Sequence, residues 1–343
     1  MKAVRLHQYK RPPSVDEVPQ PDLESHDDVL VRVGGAGVCR TDLHLIDGWF
    51  ADVMPAETPF TLGHETAGWV EAVGRDVDHV AVGAAVIVHP LRTCGVCWGC
   101  RHGEDMYCER STFPGVNTDG GYAEYLRTGA RSIVALPDGV EPAKIAPHAD
   151  AGLTAYRAVR KAKTILQAGD SVAVFGAGGL GHIGVQLLKV MTSATVIVID
   201  PSPAARELAA SVGADVTLDT GEAAEAVAEA TGGRGADVVL DFVGEHATPG
   251  LAIEIVRQGG TYLLVGYGGE LQVPTMLLIL KEVTIIGNLV GSHSDLSELI
   301  ALAAGGRVEL HTVPYDLDAA PQALDDLDNG RIRGRAVLIP NAG

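Results

Sequence analysis

Cysteine, aromatic residues and long hydrophobic runs are all scarce in this sequence. Only 5 of the 343 residues are cysteine, an odd number, and aromatic residues make up 5%. So few cysteines do not indicate a disulfide framework, and we expect a reducing, cytoplasmic location in which clustered thiols bind metal. No apolar run reaches the ~18 residues of a membrane helix. The first residues, MKAVRLHQYK, contain no apolar signal-peptide core.

Basic residues are also scarce relative to acidic ones. The chain has 26 Lys and Arg against 44 Asp and Glu, which gives a net charge of -18. Nucleic acids and anionic membranes are bound by clustered Lys and Arg, so this balance argues against both as partners. The remaining partner class is a small molecule. The length and the 46% hydrophobic content are typical of a soluble protein with two domains.

The pattern of apolar residues changes twice along the chain. Residues 1–150 contain short apolar runs separated by Gly, Pro and Asp, which is typical of short strands and turns. Over residues 151–289 strands alternate with helical stretches, which predicts a doubly wound parallel sheet of the Rossmann type. Residues 290–343 return to mixed character, with a Ser-capped helix in SDLSELIALAAGG and a strand in GRAVLIP. The predicted fold class is α/β, with a Rossmann domain and a β-rich domain.

Four of the five cysteines lie in the stretch LRTCGVCWGCRHGEDMYC. Their spacing is C-x2-C-x2-C-x7-C, at positions Cys94, Cys97, Cys100 and Cys108. Four thiolates this close can converge on one Zn²⁺, which binds sulfur at about 2.3 Å in closed structural sites. An iron–sulfur cluster and four unconnected thiols are the alternatives. We predict a structural zinc that holds a long loop together.

The fifth cysteine is the starting point of a second predicted metal site. Cys39 stands in GVCRTDLH, His64 in LGHETAG and Asp150 in HADAGLTAY. A thiolate, an imidazole and a carboxylate form a suitable set for a catalytic zinc, which needs three protein ligands and one open position. Spacing alone is weak support, because a lone Cys or His more often belongs to a core.

A dinucleotide site is predicted by the stretch SVAVFGAGGLGHIGVQLLK. Gly176, Gly178 and Gly181 follow a predicted strand and open a helix, and a second strand ends in Asp200, about twenty positions later. The glycines let the backbone approach a pyrophosphate at the helix N-terminus. A carboxylate at the end of the second strand accepts the ribose hydroxyls and repels the 2′-phosphate of NADP. The sequence therefore predicts NAD as cofactor.

The order of these motifs resembles that of the zinc-dependent medium-chain alcohol dehydrogenases. GVCRTDLH, LGHETAGWVEAVG, the four-cysteine loop, DAGLTAYRA and VAVFGAGGLGHIGVQLLK follow one another as they do in that family. The resemblance covers essentially the whole chain and is greatest to bacterial and archaeal NAD-dependent secondary alcohol dehydrogenases. It implies a GroES-like catalytic domain beside the Rossmann domain and two zinc ions per chain.

The resemblance also implies roles at the catalytic zinc. Cys39, His64 and Asp150 would be its ligands, although many family members have cysteine where this chain has Asp150. Thr41 would take the substrate proton, and His44 would relay that proton to solvent through the cofactor ribose. Two further residues would support the ligands: Asp42 by orienting the imidazole of His64, and Glu65 by approaching the zinc during ligand exchange.

The cofactor contacts implied by the resemblance are spread over both predicted domains. Two arginines would neutralise the pyrophosphate, a glycine-rich loop would bind it, two residues at the end of a later strand would touch the nicotinamide, and one residue further along the chain would also contact the cofactor. The residues are Arg40 and Arg335, then Gly176, Gly178, Gly179, Leu180 and Gly181, then Val265, Gly266 and Leu289.

Three alternatives remain open at this point. A polyol or threonine dehydrogenase of the same family would keep the chemistry and change the substrate. A zinc-free relative that only binds NAD would need neither Cys39 with His64 nor Thr41 with His44. A quinone reductase of the same fold normally lacks both zinc sites and is disfavoured. The family often forms homodimers or homotetramers by pairing its cofactor sheets, here near the strand VTIIG.

Overall fold

The computed structural model describes residues 1–340, which divide into two compact units. The first unit consists of Met1–Leu153, Gly291–Gly306 and the chain from Leu310 onward; the second consists of Thr154–Val290 and Arg307–Glu309. The domain boundaries at residues 150 and 290 stay a prediction. No helix among residues 1–340 has the length and apolar character needed to cross a membrane.

The first part of the chain is mostly strand. Its elements are β1 (Lys2–Leu6), β2 (Ser14–Glu17), β3 (Asp28–Gly37), α1 (Arg40–Ile46), β4 (Phe60–Thr61), β5 (Glu65–Val73), β6 (Ala85–Val88), α2 (Trp98–Arg101), β7 (Tyr125–Gly129), β8 (Ile133–Ala135) and α3 (Pro142–Ile145).

Strands and helices then alternate as predicted. The elements are α4 (Ala151–Lys163), β9 (Ser171–Phe175), α5 (Gly181–Met191), β10 (Thr195–Ile199), α6 (Pro203–Ser211), β11 (Val216–Leu218), α7 (Ala223–Ala230), β12 (Ala236–Asp241), α8 (Thr248–Ile255), β13 (Val256–Leu264), α9 (Thr275–Lys281) and β14 (Thr284–Gly287). The last part of the chain contributes α10 (His293–Ala304), β15 (Thr312–Asp316), α11 (Ala320–Asp328) and β16 (Arg335–Ile339).

Two sheets build the first unit. One has the order β2-β1-β4, and the other has the order β15-β16-β3-β5-β6-β8, with β7 also paired to β3. The sheets enclose a core that includes Val31, Val70, Leu126 and Leu338. Fully burying one such aliphatic side chain contributes about 1.5–3 kcal/mol, so this core holds in place the strand ends that lie next to the predicted metal ligands.

The second unit is built on a six-stranded parallel sheet. Its order is β11-β10-β9-β12-β13-β14, and every pair is parallel. All residues of β9 and β12 are buried, as expected for strands covered by helices on both faces. The strand order reverses between β9 and β12, and ligands of such sheets bind at the carboxyl ends of the strands at this point. The predicted Rossmann sheet and separate β-rich domain are confirmed.

One helix start differs from the prediction. The helix predicted from SDLSELIALAAGG is present as α10, but its N-cap is Ser292 rather than Ser294. The hydroxyl of Ser292 accepts a hydrogen bond from the backbone N–H of Asp295 at 3.2 Å, and the Asp295 carboxylate accepts one from the N–H of Ser292 at 2.9 Å. This reciprocal capping box needs an acidic residue three positions after the cap, which Ser292 has and Ser294 lacks.

Candidate metal centres and dinucleotide site

Four potential metal ligands meet in the first unit. The ligand atoms of Cys39, His64, Glu65 and Asp150 all lie within 4.8 Å of one another. Cys39 is the N-cap of α1, His64 directly precedes β5, and Asp150 directly precedes α4. Cys39, His64 and Glu65 meet because β3 and β5 pair with Gly37 opposite Glu65, so the chain leaves β3 beside the point where it enters β5.

The imidazole of His64 is fully buried at the centre of this group. Its Nδ1 lies 3.4 Å from Asp42 Oδ1 and its Nε2 lies 3.6 Å from Asp150 Oδ2, and neither nitrogen has a hydrogen-bond partner among residues 1–340. Burial acts to lower the pKa of His64, but the charge of Asp42 and the nearby polar groups of Asp150 and Cys39 outweigh it and raise the pKa well above its ordinary value. The pocket therefore favours a positive charge beside Nε2, as a metal site does.

Asp42 lies between two of the predicted ligands, Cys39 and His64. This carboxylate is completely buried. Its Oδ2 accepts hydrogen bonds from the backbone N–H of Cys39 at 2.8 Å and from the hydroxyl of Tyr122 at 2.6 Å, and its Oδ1 faces His64. Asp42 thus fixes the Cys39 turn and places a carboxylate oxygen beside the His64 ring. Tyr122 was not predicted from the sequence.

Glu65 is held by a buried ion pair. Arg335 Nε donates to Glu65 Oε2 at 3.0 Å, Arg335 Nη2 donates to Oε1, and the backbone N–H of Ala151 donates to Oε1 at 3.1 Å. Arg335 is almost fully buried. Its guanidinium contacts Glu65 and compensates the negative charge of that carboxylate. The role of Arg335 toward a pyrophosphate stays a prediction.

Helix α1 carries the predicted proton-transfer residues directly after Cys39. Thr41 is partly buried and His44 is buried, while Arg40 at the helix start is exposed. The ring of His44 stacks on Trp49, with centroids 4.1 Å apart and planes 5° from parallel. The stacking fixes the orientation of the imidazole. The catalytic roles of Thr41 and His44 stay predictions.

In the four-cysteine loop, the cysteine side chains converge around one point. All sulfurs lie within 4.8 Å of one another, with Sγ atoms 3.5 Å apart for Cys97 and Cys100 and 4.0 Å apart for Cys94 and Cys100. A tetrahedral zinc with bonds of about 2.3 Å spaces its sulfurs roughly 3.8 Å apart, so the spacing fits one ion. Cysteines around a multi-iron cluster are spread farther as a set, because they bind more than one iron.

The environment of these thiols favours partial ionisation. Hydrogen bonds from the backbone N–H groups of Val96 and Cys97 lower the pKa of Cys94 to about 6, and Arg110 Nη2 donates to Cys94 Sγ at 3.4 Å. Burial instead raises the pKa of Cys100 to about 12. A bound cation would allow all four thiols to ionise together, which couples metal binding to the stability of the loop.

The glycine-rich loop lies between β9 and α5 in the second unit. The backbone of Gly176 has φ 84°, and a Cβ at Gly181 would overlap the carbonyl oxygen of Gly176. A Cβ at Gly178 would meet no described atom within 4 Å, so this side of the loop, which continues through Gly179 and Leu180, borders open space. A close turn that faces open space at a helix N-terminus fits a pyrophosphate.

Asp200 follows β10 and is fixed by the loop residues around it. Its Oδ2 accepts from the backbone N–H of Ala177 and its Oδ1 from that of Ser202, both at 2.8 Å. The nearest basic residue in sequence, Arg206, donates to the carbonyl of Asp200 at 2.6 Å and pairs with Asp219 at 2.9 Å. Its charge is thus already compensated by a carboxylate.

The remaining predicted cofactor contacts lie after β13 and β14. Val265 is buried and Gly266 follows it at the carboxyl end of the sheet, whereas Leu289 is 56% exposed. The backbone N–H groups of Val265 and Gly266 both donate to the carbonyl of Asp241 at 2.9 Å. Asp241 was not predicted from the sequence.

Comparisons with known proteins agree with this arrangement. A family model described as an alcohol dehydrogenase GroES-like domain matches residues 25–138, and one described as a zinc-binding dehydrogenase matches residues 179–305. An alcohol dehydrogenase of Geobacillus stearothermophilus is 38% identical, over 98% of this chain and 99% of its own. An NAD-dependent alcohol dehydrogenase of Sulfurisphaera tokodaii is 35% identical, over 99% of this chain and 100% of its own.

A solved structure resembles the whole chain. The crystal structure of the alcohol dehydrogenase from the hyperthermophilic archaeon Aeropyrum pernix superposes with a TM-score of 0.97 and is 46% identical. The match covers 99% of this chain and 100% of that one.

Replacing Asp42 by Ala should weaken metal binding at His64. The substitution frees the Cys39 turn and removes the carboxylate that faces His64 Nδ1, and loss of such a partner typically lowers metal affinity about 10–100-fold. Competition with a chromophoric chelator measures this affinity. Tyr122→Phe, which removes only one hydrogen bond to Asp42, is the control and should lose much less. Equal metal affinity in wild type and Asp42→Ala would show that Asp42 does not orient a ligand.

Proposed function

The chain belongs to the zinc-dependent medium-chain alcohol dehydrogenase family, and we propose on that premise that it interconverts a secondary alcohol and its ketone with NAD. The observation that carries the proposal is the group of Cys39, His64, Glu65 and Asp150, whose ligand atoms lie within 4.8 Å of one another. A protein that only bound NAD would have no use for such a group. Polyol and threonine dehydrogenases would share it, so the group supports the reaction class more strongly than the substrate.

We assign one zinc to Cys39, His64 and Asp150. A thiolate and a carboxylate balance the two positive charges, and the neutral imidazole is the third ligand. Glu65 is the weaker candidate, because Arg335 and the N–H of Ala151 already occupy its oxygens. Zinc with one open position supplies Lewis-acid polarisation of an alcohol oxygen. A second zinc, held by the four cysteines, would have a structural role.

Thr41 and His44 are the residues that we assign to proton transfer. Thr41 lies in the first turn of α1, two positions after Cys39, where its hydroxyl can accept the proton of an alcohol held beside that ligand. His44 lies three positions further, on the same side of the helix. Histidine side chains exchange protons near neutral pH, so His44 can pass the proton toward solvent. A bound nicotinamide supplies the acceptor for the hydride of the carbinol carbon.

The proposal predicts different effects for the two kinds of cysteine. Wild-type protein should contain two zinc ions per chain and oxidise NADH in the presence of ketones. Cys39→Ala should lose one zinc and turnover while it still binds NADH. Cys94→Ser should lose the other zinc and unfold at lower temperature, because metal binding at a closed site contributes to folding stability. Elemental analysis, a ketone screen and thermal denaturation give these readouts. Turnover that survives removal of all zinc would refute the assignment.

The carboxylate of Asp200 should make the enzyme prefer NAD. It can accept hydrogen bonds from ribose hydroxyls, and it would repel a 2′-phosphate that Arg206, already paired with Asp219, could not attract. Hydrogen bonds to a charged group are worth about 1.5–3 kcal/mol, so Asp200→Ala should lower kcat/KM for NAD about 10–100-fold. The ratio of kcat/KM for NAD and NADP is the measurement. A wild-type preference for NADP would contradict the assignment.

We also propose that the protein forms a homodimer or homotetramer through the outer edge of its cofactor sheet. β14 is the last strand of the sheet within the described residues, and α9 before it exposes four large apolar side chains, those of Met276, Leu277, Ile279 and Leu280. An apolar patch of this kind marks an interface. Sedimentation should show a multimer that Ile279→Lys dissociates, whereas Val82→Lys, at an exposed apolar residue elsewhere, should leave it intact. A monomeric wild type would end this proposal.

A further inference from the structure

A second buried aspartate lies at the carboxyl edge of the parallel sheet. Asp241 is the last residue of β12 and is completely buried. Its Oδ1 accepts hydrogen bonds from the backbone N–H groups of Val243 at 2.9 Å and Gly244 at 2.8 Å, and its Oδ2 accepts one from the hydroxyl of Tyr262 at 2.9 Å. The side chain thus shapes the turn that follows β12.

The backbone of Asp241 holds the neighbouring turn as well. Its carbonyl oxygen accepts from the N–H groups of Val265 and Gly266, both at 2.9 Å, directly after β13. A Cβ at Gly266 would overlap the backbone of Val243, so the two turns are in close contact. Asp241 therefore connects the turns that follow two adjacent strands, β12 and β13.

The turn after β12 also packs against the glycine-rich loop. A Cβ at Gly176 would lie 2.8 Å from a methyl group of Val243, and one at Gly184 would lie 2.7 Å from the ring of Phe242. The turn is therefore in close contact with Gly176 of the loop and with Gly184 of α5, the helix that the loop leads into. A displacement of residues 242–244 would therefore be transmitted to the glycine-rich loop, as well as to Val265 and Gly266.

We propose that Asp241 is a positioning residue of the cofactor site, which it keeps in the shape that binds the dinucleotide. The inference rests on the proposed function, because it assumes NAD at this edge of the sheet. Replacing the carboxylate by a methyl group would leave two backbone N–H groups and one tyrosine hydroxyl without their acceptor in a closely packed region. The turns would then shift to regain water or other partners.

The same strand provides a matched control at its other end. Asp237 in β12 is also a buried carboxylate; its Oδ2 accepts from the backbone N–H of Ser171 at 2.8 Å, and its Oδ1 pairs with Arg257 Nε at 2.5 Å. Its loss should destabilise the fold in a similar way. It lies at the amino end of the strand, however, away from the glycine-rich loop.

The test compares NADH dissociation constants, measured by fluorescence titration of the full-length protein, with melting temperatures. Asp241→Ala should raise the Kd for NADH at least 10-fold, and Tyr262→Phe should raise it about 3-fold. Asp241→Asn should stay within about 2-fold of wild type, because its amide oxygen can accept the two N–H bonds and its NH₂ can donate to Tyr262. Asp237→Ala should lower the melting temperature but change the Kd less than 2-fold.

The outcomes separate this inference from the proposed function. If wild type does not bind NADH, the proposed function fails and this inference fails with it. If wild type binds NADH and Asp241→Ala binds it equally well, only the positioning role is refuted. An equal loss of affinity in Asp237→Ala and Asp241→Ala would also refute it, because the effect would then be general destabilisation. If Asp241→Ala does not fold, an unchanged Kd for NADH in Tyr262→Phe would refute the positioning role of Asp241.

Discussion

Compensation of buried negative charge is the constraint on which both sites depend. The chain has a net charge of -18 and still buries the carboxylates of Asp42, Glu65, Asp237 and Asp241. An uncompensated buried charge costs several kcal/mol, and each of these carboxylates has protein partners: backbone N–H groups, a tyrosine hydroxyl or an arginine. The buried imidazole of His64 differs, because neither of its nitrogens has a hydrogen-bond partner within residues 1–340. A divalent cation shared with Cys39 and Asp150 would fit this site.

The two units use the same device to shape a site. In the first unit, Asp42 accepts hydrogen bonds from a backbone N–H and from the hydroxyl of Tyr122 at 2.6 Å. In the second, Asp241 accepts from two backbone N–H groups and from the hydroxyl of Tyr262 at 2.9 Å. A buried aspartate bonded in this way fixes a turn without itself touching the ligand. The residues that contact metal or cofactor can then be held in place by residues that contact only the protein.

The sequence predicts the local features of the structure and misses those that join distant segments. The four-cysteine loop, the glycine-rich loop and the alternation of strands and helices are visible because each lies within a short stretch of chain. The pairing of Glu65 with Arg335 spans 270 positions and that of Asp42 with Tyr122 spans 80, so no spacing rule could reveal either. The convergence of Cys39, His64 and Asp150 is only weakly indicated by their ligand chemistry, and its prediction rests mainly on a family resemblance. The cap of α10 is Ser292 and not Ser294, because only Ser292 is followed by an acidic residue three positions later.

The most direct test of the central claim is a crystal structure with anomalous diffraction data collected on both sides of the zinc absorption edge. We predict one strong peak within bonding distance of Cys39 Sγ, His64 Nε2 and a carboxylate oxygen of Asp150, and a second among the sulfurs of the four-cysteine loop. A zinc-replete crystal in which no peak lies near His64, or in which Cys39, His64 and Asp150 do not share one centre, would contradict the account.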